Sequence, residues 1–223
     1  LALATGTTFE AVREEFGSAP AAAEHVERFA RYLAHLEALG VGENGSVALM
    51  LRNDFGTFEV NMASSQIGAY AVPINWHFTP EEANYILRDS GASVLVAHTD
   101  LLAQIAGGVP EGVKVFAVPT PDEIAAAYGV PAERRRVPAG AESWEEFVAA
   151  SAPRTEPPRA ARGSMIYTSG TTGRPKGVRR QPSTPEQQAA GAQEAALFWG
   201  LKPDPSIVVL MNGPMYHSAP AAY

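Results

Sequence analysis

Apolar positions along the chain fall into two patterns, helical stripes and short continuous runs. Val26, Phe29, Ala30, Leu33 and Leu36 recur at i, i+3, i+4, i+7 and i+10, the spacing of one buried helical stripe. Gly40 follows, where a left-handed C-terminal cap suits a residue without Cβ. Val47 to Leu51 is continuously apolar and is closed by Asn53-Asp54, which predicts a strand buried on both faces, as parallel sheets require. Thr57 to about Ile67 predicts a helix stopped by Gly68, and Ala71-Val72-Pro73-Ile74 a strand that Pro73 confines to an edge or a strand end.

Thr79-Pro80-Glu81-Glu82 is the clearest local instruction. Thr79 caps the next helix, Pro80 suits its first position, and Glu82 completes a capping box; the helix should run to about Ser90 and stop at Gly91. Ser93 to Ala97 and Val113 to Val118 predict two more strands, with a helix from Asp100 between them. Strands alternating with helices of this length predict an α/β fold of mostly parallel sheets flanked by helices.

Between Thr120 and Arg162 the texture changes. Prolines at 121, 131, 138, 153, 157 and 158 predict irregular, exposed chain, with one short helix from Ser143, where Glu146 lies three residues after the cap. The run Arg134-Arg135-Arg136 reads as solvated surface rather than an anion site. Met165-Ile166-Tyr167 then leads into a loop. Thr184-Pro185-Glu186-Gln187 opens a helix running to about Phe198, and Ile207 to Met211 predicts a last buried strand.

Composition narrows the classes. The 223 residues include 46% hydrophobic and 18% charged residues, which is globular rather than disordered. A net charge of −7, from 17 Lys+Arg and 24 Asp+Glu, offers no global attraction to nucleic acid or anionic lipid. No run of about 18 apolar residues predicts a transmembrane segment. The absence of cysteine excludes disulfides, thiolate metal sites and a thiol nucleophile, and fits a reducing compartment.

One loop carries the chemistry: Tyr167-Thr168-Ser169-Gly170-Thr171-Thr172-Gly173-Arg174-Pro175-Lys176-Gly177. Glycines let backbone N–H groups converge on one point, hydroxyls add donors, and Lys176 adds a compact positive charge; together they make an anion site. The loop is not a Walker A motif, because Lys176 lies between Pro175 and Gly177, and it lacks the Gly-x-Gly-x-x-Gly of dinucleotide sites. An ordinary Ser/Thr/Gly surface loop is the competing reading, and the length and order of the string weigh against it. A lone histidine is more often packed or on the surface than catalytic; His217 follows a predicted strand and precedes Ser218-Ala219-Pro220. His25, His35, His77 and His98 sit in no supporting pattern.

The string from Tyr167 to Gly177 resembles the phosphate loop of the adenylate-forming superfamily, which includes acyl-CoA synthetases. Gly68 to Asn75, continuing through Trp76 and Thr79-Pro80-Glu81-Glu82 to Asp89-Ser90-Gly91-Ala92, is similar to the family's upstream core motif. Pro214-Met215-Tyr216-His217-Ser218-Ala219-Pro220 is similar to its aromatic-His motif. The resemblance covers roughly Ala21 to Tyr223. It implies the large N-terminal domain of an adenylate-forming enzyme, which activates a carboxylic acid with ATP to an acyl-adenylate and then passes the acyl group to coenzyme A. By that resemblance Thr168, Ser169, Gly170, Thr171, Thr172 and Gly173 wrap the phosphates with Lys176 assisting. Thr171 offers its hydroxyl to Mg²⁺, and His217 borders the carboxylate; Lys176 and His217 are the catalytic candidates. Asn75, Trp76 and Tyr216 are expected to pack.

The resemblance divides the chain into a first α/β subdomain (residues 1–119), an irregular excursion (120–162) and a phosphate-loop segment (163–223). The family's aromatic-Gly-x-Thr-Glu motif, ribose-holding Asp and small C-terminal domain have no match before Tyr223. The chain is therefore expected to be an incomplete N-terminal part, with little turnover alone and with exposed apolar surface that leaves room for a homodimer. The expected location is the cytoplasm, with peripheral membrane association left open. The motif around His217 is closer to the acyl-CoA synthetase style than to Phe-Asp-x-Ser, which favours a fatty or other hydrophobic acid. An adenylation domain serving a carrier protein, a non-catalytic nucleotide-binding module and a phosphotransferase remain open beside it.

Overall fold

The apolar runs become the centre of a five-stranded parallel sheet in the computed structural model. It describes residues 31–150, 152–157, 159–168, 174–184, 186–187, 189–191, 193–194 and 213–217. The strands are β1 (Ser46–Met50), β2 (Tyr70–Pro73), β3 (Val94–His98), β4 (Lys114–Val118) and β5 (Glu142–Ser143), in the order β2-β1-β3-β4-β5. β1 pairs with both β2 and β3, with Ala48 opposite Val72 on one side and Leu95 on the other. β2 is an edge strand, where the missing N–H of Pro73 leaves no ladder bond unmade.

Helices cover both faces of the sheet. They are α1 (described over residues 31–38), α2 (Phe55–Gln66), α3 (Pro80–Ser90), α4 (Thr99–Gln104), α5 (Asp122–Tyr128) and α6 (Trp144–Ala149). Alternation along the strands divides the core. Val47 and Leu49 of β1 pack on α1, α2 and α6 through Leu33, Leu36, Val60, Ala63, Trp144 and Val148. Ala48 and Met50 pack on α3 and α4 through Ala83, Ile86, Leu87, Leu101 and Leu102. In the first layer the Trp144 ring stacks on Tyr32 at 4.4 Å and its Nε1 donates to the Tyr32 hydroxyl at 2.6 Å. That hydroxyl donates in turn to Glu59 at 2.6 Å, so the polar atoms of both stacked rings have partners.

Local capping follows the sequence closely. Thr79 and Glu82 form both halves of the capping box of α3, and Gly91 ends that helix in the left-handed region at φ 66°. Gly40 has φ 79°, matching the expected end of α1. Ser143 caps α6 by accepting from Glu146 N. Thr184 and Gln187 exchange the reciprocal bonds of a second box, at 2.9 and 3.3 Å. α2 begins at Phe55 rather than Thr57, because the Asp54 carboxylate accepts from Thr57 N and caps the helix two residues earlier.

Between Thr120 and Arg162 the chain is more regular than its prolines suggest. It holds α5, a 3₁₀ turn at Ala132–Arg135 and β5, which joins the sheet beside β4. α5 buries only Ala125, so it shows no apolar stripe. Of the arginine run, Arg134 and Arg136 are exposed; Arg134 donates to the Asp100 carbonyl at 3.1 Å, and Arg135 pairs with Asp122. The strand expected at Ile207–Met211, the helix beyond residue 194 and the stripe positions Val26, Phe29 and Ala30 lie outside the described residues.

Successive connections run from β1 outward to β2, then back across β1 to β3 and onward to β4. The direction of winding reverses between β1 and β3. The carboxyl ends of those two strands therefore flank the crevice where open α/β sheets present ligands.

Candidate functional site

The Ser/Thr/Gly loop rises from a hairpin neck. β6 (Tyr167–Thr168) pairs antiparallel with β7 (Lys176–Gly177), with Tyr167 opposite Gly177 and Thr168 opposite Lys176. Thr168 and Lys176 thus stand exposed across from each other at the mouth of the loop. Ser169, Gly170, Thr171, Thr172 and Gly173 lie outside the described residues.

Helix α3 holds this neck. Tyr85 and Asp89, four residues apart and so on one helical face, both reach it. Tyr85 donates through its hydroxyl to the Pro175 carbonyl at 2.9 Å, and the Tyr167 hydroxyl donates to Asp89 at 2.6 Å. The Arg174 guanidinium lies 5.5 Å from the Tyr85 ring centre. Burial, followed by the hydrogen bond and negative charge of Asp89, raises the Tyr167 pKa well above the usual tyrosine value, so the phenol stays a donor. A cavity of about 670 Å³ opens beside the neck, lined by Glu81, Tyr85, Arg88, Asp89, Arg174 and Pro175.

Further contacts fix the strands behind the neck. Met165 N donates to the Ala71 carbonyl at 2.7 Å, so the segment entering β6 runs beside β2. The Tyr70 hydroxyl donates to the Arg180 carbonyl at 2.9 Å, and Arg179 donates to the Ser90 carbonyl at 3.0 Å. Gly177 is required by close approach. A Cβ there would lie 2.7 Å from two ring carbons of Tyr167.

The second motif docks elsewhere, at the carboxyl end of β1. Asn53 donates through Nδ2 to the Gly213 carbonyl at 2.7 Å, and its Oδ1 accepts from Met215 N at 2.9 Å. His217 N closes the turn on the Pro214 carbonyl at 3.0 Å; the imidazole is exposed and lies 4.5 Å from the Tyr216 ring. Trp76 meets Tyr216 edge-on at 6.2 Å and Tyr128 edge-on at 5.6 Å, in the packing role expected of it. Among the described residues, no hydrogen bond, ion pair or ring contact joins Thr168 or Lys176 to His217.

Beneath that turn lies a buried polar cluster. Arg52, after β1, forks onto Asp100, after β3, at 3.0 and 2.7 Å. Thr120, after β4, donates to Asp100 at 2.7 Å. The Arg52 guanidinium faces Tyr128 at 4.7 Å and Trp76 at 5.4 Å. Burial by itself would raise the Asp100 pKa; the hydrogen bonds from Arg52 and Thr120 and the Arg52 charge outweigh it and bring the value below the ordinary one. His98 is fully buried, and its Nδ1 accepts from Arg52 N at 3.2 Å. Nε2 therefore carries the proton it shares with Asp54 at 2.8 Å.

The residues of this cluster went unassigned in the sequence because their hydrogen-bond partners lie 20 to 48 positions apart. A signal was available: polar residues follow directly on three apolar strand runs. The remaining histidines have no such setting. His35 packs on Phe147 at 3.5 Å, with burial lowering its pKa against the raising effect of Glu142. His77 is exposed, and His25 lies outside the described residues. Among the described residues, no group of three or more histidine or carboxylate side chains could hold a metal. Among the described residues, no helix is long and apolar enough to cross a membrane.

Comparison with known proteins places this geometry in context. A family model described as AMP-binding enzyme matches residues 19–222. The chain is 34% identical over 170 residues to a feruloyl-CoA synthase of Amycolatopsis sp, covering 73% of this chain and 28% of that protein. It is 33% identical over 158 residues to a long-chain-fatty-acid–CoA ligase of Thermus thermophilus, covering 70% and 27%. An acyl-CoA synthetase structure from Brucella canis superposes with a TM-score of 0.66 at 21% identity, covering 88% of this chain and 33% of that one. The chain therefore spans between a quarter and a third of the length of these relatives.

Proposed function

The chain belongs to the AMP-binding enzyme family, and from that premise we propose that it serves an ATP-dependent ligase that activates a hydrophobic carboxylic acid. In the first step a carboxylate oxygen attacks the α-phosphorus of ATP. The new P–O bond gives an acyl-adenylate, and the bond to the bridging oxygen breaks with its electrons leaving on pyrophosphate. In the second step the sulfur of coenzyme A attacks the acyl carbon and AMP departs.

The observation that carries this reading is the hairpin neck, which sets Lys176 opposite Thr168 at the mouth of a loop of hydroxyls and glycines. Charge gathers on the β- and γ-phosphates as the bond breaks. Aimed backbone N–H groups of 169–173, the Thr168 hydroxyl and the Lys176 ammonium would stabilise it where water is displaced. Mg²⁺ would add positive charge on the phosphates, with the Thr171 hydroxyl as an oxygen ligand of the kind that ion takes. His217, on the turn held at β1, would orient the incoming carboxylate. The relatives named above act on feruloyl and long-chain fatty acyl substrates, which supports an apolar acid without choosing its length.

In this reading the 223 residues supply the phosphate-gripping part, and full turnover draws on the length that the relatives have beyond it. The test is acid-dependent release of pyrophosphate from ATP by the complete enzyme, measured against a panel of aromatic and fatty acids. Acid-dependent pyrophosphate and AMP support the reading. Thermal stabilisation by ATP with no acid-dependent pyrophosphate supports a binding module instead, and a phosphorylated product without AMP supports a phosphotransferase.

A further inference from the structure

Asn53 is the first exposed residue after β1, yet both ends of its amide are used. Nδ2 donates to the Gly213 carbonyl and Oδ1 accepts from Met215 N, across 160 and 162 residues of sequence. Both partners are backbone groups of one turn. A side chain that gives and takes a hydrogen bond on the same turn fixes its place and its rotation together.

The rest of the turn is held from the same side. Met215 is buried, and Tyr216 leans on Trp76. Trp76 faces the Arg52 guanidinium, which Asp100 locks from the end of β3. His217 thus hangs from a series of contacts anchored on two rigid strand ends, and Asn53 is its only link by hydrogen bonds from β1 to the turn backbone among the described residues.

We infer that Asn53 is a positioning residue for His217, clamping the 213–217 turn so that the imidazole stands at a fixed place above the carboxyl ends of β1 and β3. The inference rests on the proposed function for its catalytic consequence, but the clamp itself is independent of it. Its chemistry calls for an amide. Alanine makes neither bond; aspartate can still accept from Met215 N but turns a carboxylate oxygen on the Gly213 carbonyl.

The test uses Asn53→Ala and Asn53→Asp in the complete enzyme, with two kinds of readout. Amide exchange at Met215 and the NMR position of the His217 ring protons, which feel the Tyr216 ring, report the turn without reference to activity. Acid-dependent pyrophosphate release reports the chemistry. Asn53 is exposed, so neither variant should compromise folding.

In Asn53→Ala, Met215 should exchange faster and the His217 signal should move. The kcat should fall about 10²-fold while the KM for ATP stays within about two-fold, as for a misplaced group that does not bind nucleotide. Asn53→Asp should fall between wild type and alanine. Unchanged exchange at Met215 would overturn the clamp. A freed turn with unchanged kcat, or a raised KM with unchanged kcat, would overturn the positioning role. If the wild-type enzyme releases no pyrophosphate, the proposed function fails, and the NMR and exchange results alone decide whether Asn53 places His217.

Discussion

Replacing Gly177 by alanine tests how the phosphate-loop neck is mounted. The new Cβ would lie 2.7 Å from Cε2 and Cζ of Tyr167 and 3.0 Å from its hydroxyl. Ordinary contact begins at 3.4 Å, so the ring must withdraw by the difference, about 0.7 Å. That retreat lengthens the 2.6 Å bond from the Tyr167 hydroxyl to Asp89 to at most about 3.3 Å, weakening it. Overpacking of this kind costs about 1–3 kcal/mol. The weakened bond adds little, because Asp89 is exposed and water also solvates its carboxylate. We therefore expect a destabilisation of about 1–3 kcal/mol by denaturant unfolding.

Because Gly177 pairs with Tyr167 in the ladder that sets Thr168 against Lys176, ATP affinity should also fall at least tenfold by calorimetry, about 1.4 kcal/mol. Tyr167→Phe isolates the hydrogen bond alone and should cost less than about 1 kcal/mol. An alanine variant with the stability and ATP affinity of wild type would refute the mounting described here.

Two further substitutions probe the phosphates and the buried cluster. Thr171→Val nearly preserves shape while removing one hydroxyl; pyrophosphate release by the complete enzyme should slow with folding retained, and unchanged kinetics would remove Thr171 from the site. Asp100→Asn leaves the buried Arg52 charge without its partner and should cost about 3–5 kcal/mol. Folding holds the Asp100 pKa below its ordinary 3.8, so the wild type draws stability from this carboxylate above that pH and loses it as pH falls through the folded value. Stability of the asparagine variant should be flatter across that acid range, and parallel acid profiles would contradict the assignment.

Much of this fold can be read from local rules, because its central strands are buried on both faces. Val47 to Leu51 predicts β1 to within one residue, and Pro73 places β2 at an edge. Thr79 with Glu82 and Thr184 with Gln187 specify their helix starts by side chains three residues apart. Legibility fails where the stabilising partner is distant or the element is polar. α5 buries a single alanine, and β5 is the pair Glu142–Ser143, so neither carries an apolar pattern. The site divides in the same way. The hydroxyl-and-glycine string announces itself, whereas its seat on Tyr85 and Asp89 and the hold of Asn53 on the His217 turn depend on contacts 78 to 162 residues apart.

The central claim is that the hairpin closed by Thr168 and Lys176 grips the triphosphate of ATP. A crystal structure of the complete enzyme with a non-hydrolysable ATP analogue tests it most directly. The account predicts β- and γ-phosphate oxygens enclosed by residues 169–173, with the Lys176 ammonium within hydrogen-bonding reach. A nucleotide bound instead in the crevice at the carboxyl ends of β1 and β3, with the hairpin empty, would contradict it.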